Sequence, residues 1–179
     1  IKEQTASSSS SISFVDGSSD VVLDSTYPIY MFKYINMHPA TNNTHLMVNF
    51  RDGGSDYDAT KTTSVFYAYH DEADSDTSLS YQAGSDLAQS TSAQRLTGGT
   101  GNVADESASG TLHLFNPSST TFVKHFISRS STYNHSNYVN DWYVGGYCNV
   151  TAAIDGVQFS MSSGNIDSGT IKLYGIKDS

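Results

Sequence analysis

Acidic side chains gather in two runs, Asp52, Asp56 and Asp58, then Asp71, Glu72, Asp74 and Asp76. Clustered loop carboxylates are what a calcium ion needs first. Neither run has the ligand order of a calcium hand, because no Glu closes a twelve-residue loop. The competing reading is that these residues cap turns through their own side chains and stay in water. No cofactor is expected, with calcium kept as the alternative. Six histidines, His38, His45, His70, His113, His125 and His135, are the other candidate ligands. His113 and His125 could face each other across a hairpin, yet no H-x-H or H-E-x-x-H spacing occurs, so the default is a strand-face or surface imidazole. A serine nucleophile would ask for a G-x-S-x-G elbow, which is absent. Glycoside hydrolysis asks for two carboxylates about 5–10 Å apart across a cleft, and most acids here sit in turn-like contexts beside Gly or Ser. No catalytic residue is assigned, and the chain is expected not to be an enzyme.

Aromatic residues offer a different chemistry. Tyr133, Tyr138, Trp142, Tyr143 and Tyr147 form the densest run. Such rings present a flat apolar face with a polar edge, which suits sugar rings and protein partners alike. Alternate strand residues point to opposite faces, so some of the run must pack inward. Trp142 is expected in the core, and Tyr133, Tyr138, Tyr143 and Tyr147 are the candidate ligand or partner surface. Cys148, in the same stretch, reads as a buried, inert thiol. As the chain's one cysteine it leaves no disulfide and no cysteine zinc site within the chain.

The elements that position these residues are read from period-two alternation. Residues 45–51 alternate cleanly, with Leu46, Val48 and Phe50 on one face and His45, Met47, Asn49 and Arg51 on the other. Residues 27–37, 65–70 and 138–150 read as further strands, the second aromatic on both faces and the third bent or bulged at Gly145-Gly146. Ile12 and Phe14, then Val21 to Leu23, read as two short strands about the turn Asp16-Gly17. Residues 111–116 and 121–128 read as a hairpin around Pro117, and 153–160 and 170–176 as a closing hairpin. Residues 71–109 are polar and small; 78–82 and 94–96 could pair as strands, or the whole could fold over the domain as a long loop of the functional kind. No stretch shows helical apolar spacing with caps at both ends. The expected fold is all-β, a two-sheet antiparallel β-sandwich of jelly-roll type.

Size and charge narrow the partners. The 179 residues suffice for one domain, read as residues 12–179, preceded by a serine-rich N-terminal arm over residues 1–11. Nine basic residues against eighteen acidic ones give a net charge of −9, which repels nucleic-acid backbones and anionic membranes. No apolar run approaches the roughly twenty residues of a membrane span, and residues 1–13 have neither the basic nor the apolar region of a signal peptide.

Three stretches together resemble a family. The start runs Gln4-Thr5-Ala6 through Ser11 to Ile12-Ser13-Phe14. The middle is Gly110-Thr111-Leu112-His113-Leu114-Phe115-Asn116-Pro117-Ser118-Ser119. The end is Ile154-Asp155-Gly156-Val157-Gln158-Phe159-Ser160-Met161-Ser162-Ser163-Gly164-Asn165-Ile166, then Ser168-Gly169-Thr170-Ile171-Lys172-Leu173-Tyr174-Gly175-Ile176. These resemble small virion proteins of tailed bacteriophages of marine bacteria, with the largest departure over 71–109. The resemblance implies a non-enzymatic structural protein on the virion's outer surface, a capsid decoration or fibre protein or a tail appendage. It carries no catalytic residues. A homo-oligomer is expected, with a trimer favoured, and the N-terminal arm would dock to other virion proteins. The alternative is a tail-associated receptor-binding module that contacts host surface glycans.

Overall fold

Leu46, Val48 and Phe50 are fully buried while Met47, Asn49 and Arg51 are only partly covered, so the alternation in the sequence is an alternation between interior and exterior. The computed structural model describes residues 1–177. It contains twelve strands: β1 (Lys2–Ser9), β2 (Ser11–Val15), β3 (Ile29–Pro39), β4 (Leu46–Arg51), β5 (Lys61–Asp71), β6 (Thr77–Tyr81), β7 (Gln94–Arg95), β8 (Ala108–Phe115), β9 (Lys124–Asn134), β10 (Tyr138–Cys148), β11 (Gly156–Met161) and β12 (Ile166–Ile176). They form two antiparallel sheets. The larger has the order β1-β12-β3-β8-β9-β10-β5-β6, and the smaller β2-β11-β4-β7. Phe14 and Phe159 of the small sheet meet Phe32 of the large one at ring-centroid distances of 5.3 and 5.6 Å, and Phe50 meets Phe126 at 5.0 Å. The protein is therefore an all-β, two-layer antiparallel sandwich. Its strand orders, eight against four, do not single out a jelly roll.

Several local expectations change. The serine-rich start is no separate arm: β1 pairs with β12 from Lys2↔Leu173 to Ser9↔Ile166, and Ala6 is buried. An edge strand needs backbone partners more than apolar side chains, so a run of serines can serve as one. Ser10 alone separates β1 in the large sheet from β2 in the small one, so no domain boundary falls at residue 11. Residues 21–23 form no strand, although Val21 and Leu23 are buried and Asp16 accepts from the Leu23 amide at 2.8 Å. The final two strands do not form a hairpin, since β11 lies in the small sheet and β12 in the large. The segments 78–82 and 94–96 do contain strands, but β6 pairs with β5 and β7 with β4.

The register through Gly145-Gly146 is continuous on both sides, so no bulge occurs there. Gly146 is instead a close approach, because a Cβ would come within 2.6 Å of Thr63 Cγ2 and 2.7 Å of Thr62 O. The register shifts fall where β12 meets β3 and β3 meets β8. Asp167 is the extra residue on β12, the other two shifts place theirs on β3 within 35–37, and Gly169 (φ 127°) and Asn36 (φ 50°) adopt left-handed conformations there.

At one end of the large sheet Cys148 lies between Lys61 and Lys124 on its two neighbouring strands, and all three are fully buried. Burial pushes the Cys148 thiol up to about 12 and pulls the Lys61 ammonium down to about 8, the thiol and two nearby aspartates opposing the latter. These shifts act in opposite directions on stability. In the folded chain Lys61 gives up its proton near pH 8 while the unfolded chain keeps it to about 10.4, so stability rises with pH across that window. The unfolded thiol ionises near pH 8.5 and the folded one does not, so stability falls over the same window. Cys148→Ala removes the second contribution. Its unfolding free energy is expected to rise by about 1.5 kcal/mol between about pH 8 and about pH 9.5, while the parent stays nearly flat. Urea titrations at each pH would show this, and a level profile in the variant would remove Lys61 as a buried titrating base.

Candidate functional site

At the opposite end of the same strands the large sheet outreaches the small one. Strands β5 and β10 are eleven residues long, whereas β4 has six and β7 two. The strong burial of inward residues along β5 stops after Val65, leaving Tyr67 and Tyr69 half-covered. In register, Trp142 stands beside Tyr67 and Asn140 beside Tyr69. Tyr69, Tyr67 and Trp142 form a stacked row, with centroid spacings of 5.8 and 5.5 Å and interplanar angles of 13° and 26°. Tyr138 meets Tyr69 edge-on at 5.2 Å, and His45 lies 6.5 Å from the Trp142 ring. This row lines a cleft of ≈ 370 Å³, to which the segment between β6 and the end of the β7 loop contributes Gln82, Ser85, Arg95 and Gly98.

Behind the aromatic wall of the cleft, buried polar atoms lack partners. Trp142 is 3% exposed and Asn140 7%, yet Trp142 Nε1 and Asn140 Oδ1 have no hydrogen-bond partner. Thr132, directly across from Asn140 on β9, has a third unpartnered atom in its Oγ1. Buried polar groups are almost always paired, and an unpaired one costs about 1–3 kcal/mol. A donor and an acceptor two residues apart on one face of a strand can together serve a group that is both, such as a hydroxyl.

The basic groups gather here too. Nδ1 of His45 contacts the Thr97 carbonyl at 3.0 Å and Nδ1 of His135 the Gly99 carbonyl at 3.2 Å. A carbonyl only accepts, so each Nδ1 is the donor. Burial holds the His45 imidazole below its ordinary pKa; the Thr97 and Gly98 backbone groups oppose this, while the Arg95 and His135 charges add to it. At the rim, Tyr69 donates to Asp76 at 2.9 Å, a bond that raises the pKa of the phenol.

Of the tyrosines expected to form one surface, Tyr138 alone lines this cleft. Tyr133, Tyr143 and Tyr147 are odd-numbered neighbours of buried even positions and therefore point from the other face of the large sheet. There Tyr143 stacks on Phe66 at 4.7 Å and 4°, with the Arg129 guanidinium 5.2 Å above its ring, and Tyr147 meets His125 at 6.0 Å. Trp142 is buried as expected, and it is also a wall of the cleft. Tyr67, Tyr69, Asn140 and Arg95 lie outside the expected site residues, and His45 and His135 enter the sequence analysis only as candidate metal ligands. The aromatic doublet Tyr67 and Tyr69 was visible, but its alignment with Trp142 depends on the pairing of β5 with β10.

The candidate ligand clusters are occupied differently. Asp71 accepts from the backbone amides of Ser75 and Asp76, the turn-capping role. His113 lies opposite Ile127 rather than His125. Among the described residues no three His, Cys, Asp or Glu side chains come together as a metal-sized group, and no helix is long and apolar enough to cross a membrane.

The fold and site together define an antiparallel β-sandwich with an aromatic-lined cleft at one end of its larger sheet. Comparison of the chain with family models, curated proteins and solved structures gives no match.

Proposed function

We propose that the protein is a non-enzymatic recognition module of a virion exterior, and that its cleft binds saccharides of a host surface. The observation that carries the saccharide reading is the unpartnered pair, Trp142 Nε1 and Asn140 Oδ1, within a row of stacked aromatic rings. The C–H face of a sugar ring can pack on such a row while its hydroxyls, on a small shift of the wall that uncovers the two buried atoms, accept from the indole and donate to the amide. No Asp or Glu is among the lining residues, which supports binding over hydrolysis by a carboxylate pair. The virion setting draws its support from the resemblance of the two ends and the middle of the chain.

A purely structural role, as a decoration or fibre subunit in a homotrimer, is favoured by one feature of the outer face. Phe66 is 45% exposed and Ile127 51%, around the Phe66–Tyr143 stack, and such apolar exposure suits a protein contact. A glycan array separates the two roles. Trp142 is the chain's one tryptophan and lines the cleft, so its emission reports occupancy directly. Saturable quenching or shift by at least one arrayed saccharide is expected, with dissociation constants between micromolar and millimolar. A folded protein that responds to no saccharide would leave the structural role.

A further inference from the structure

We infer that the saccharide taken by this cleft is an acidic one, its carboxylate held by Arg95; the inference rests on the saccharide reading above. The chain carries eighteen acidic residues and nine basic ones. The lining of the cleft reverses that balance, with Arg95 as its charged side chain and no Asp or Glu. Asp76, bound to the Tyr69 hydroxyl at the rim, is not among the lining residues.

Arg95 differs from the other arginines in what its guanidinium does. Arg51 is paired with Asp155 through two hydrogen bonds of 2.9 Å, and Arg129 with Asp141 at 3.1 Å. Among the described residues Arg95 has no carboxylate partner. Its one side-chain hydrogen bond runs from a terminal nitrogen to Ser85 Oγ, at 3.3 Å. A guanidinium has five N–H donors in a fixed fork that matches a carboxylate in two bonds. Most of that fork is unspent, on a residue that lines the cleft. Arg95 would take the carboxylate, the Trp142 and Asn140 pair a hydroxyl, and the Tyr67–Trp142 rings the apolar face of the sugar.

The test is a fluorescence titration of the whole protein at near-physiological salt. The probes are oligogalacturonates, oligomannuronates and sialyllactose, each beside its carboxyl-reduced, uncharged counterpart. At least one acidic probe is expected to bind tenfold or more tighter than its reduced form, since a charge-assisted pair distinguishes ligands by at least that factor. Arg95→Gln should bring the acidic probe down to the level of its reduced form, and Arg95→Lys, which keeps the charge and loses the fork, should fall between. Circular dichroism would check that both variants remain folded. Reduced forms that bind as tightly as the acids, or a preference that survives Arg95→Gln, would overturn the inference and leave saccharide binding standing. Silence of Trp142 toward every acidic and neutral saccharide would instead overturn the saccharide reading itself.

Discussion

Asn140→Leu is expected to bind saccharide at least tenfold more weakly and yet to unfold at a higher temperature than the parent chain. The two effects share one cause. Asn140 is 7% exposed, and its Oδ1 has no hydrogen-bond partner. A buried acceptor without a partner costs about 1–3 kcal/mol, and replacing it by an apolar group of similar shape removes that cost. Leucine matches asparagine closely in shape and cannot accept a hydrogen bond. The same change deprives a bound hydroxyl of its acceptor beside the indole, which at about 1.4 kcal/mol per tenfold accounts for the lost affinity. Thermal unfolding followed by circular dichroism, with saccharide titration followed by Trp142 emission, would measure both. A variant that is less stable and binds as before would mean that the amide is a structural group with no part in recognition.

Lys124→Met is expected to cost about 3 kcal/mol of stability, although methionine fills nearly the same space. Lys124 is fully buried, and its ammonium donates to the carbonyls of Val150 at 2.8 Å, Ser119 at 3.1 Å and Ala152. All three N–H groups are thereby used. They tie the turn before β9 and the segment after β10 to the end of the large sheet. Methionine leaves three carbonyls without their donor, at roughly 1 kcal/mol each. Burial does lower the lysine's pKa, so the ammonium itself carries a desolvation cost that offsets part of the gain. Urea unfolding followed by Trp142 emission gives the difference, and a loss below about 1 kcal/mol would show that the carbonyls find other donors.

Layer architecture was legible in the sequence because burial between two sheets imposes a period of two, and that period needs no knowledge of partners. Leu46, Val48 and Phe50 declared their shared face, and all three are buried. The interior positions of Trp142 and Cys148 followed from their aromatic and apolar setting. What local pattern could not supply was which strand lies beside which. Residues 153–160 and 170–176 look like a hairpin by spacing, but β11 and β12 belong to different sheets. The serines of β1 carry almost no apolar signal, and they become an edge strand only because β12 offers backbone groups to pair with. Lys61 and Lys124 carry no local sign of burial, and carbonyls far along the chain, Thr91 for Lys61 and Val150 for Lys124, help to make it tolerable.

The cleft belongs to the same category. By itself the sequence determined an all-β chain, its inward-facing positions, the burial of Trp142, and a set of tyrosines that had to divide between two faces. Tertiary structure alone decided that Tyr67 and Tyr69 align with Trp142, that Arg95 and two histidines converge on them, and that the short β4 and β7 leave that end of the large sheet open. Alternation is a property of one strand and its two faces. A cleft of this kind requires the register between strands and the unequal lengths of two sheets, and both are settled by contacts between residues far apart in the chain.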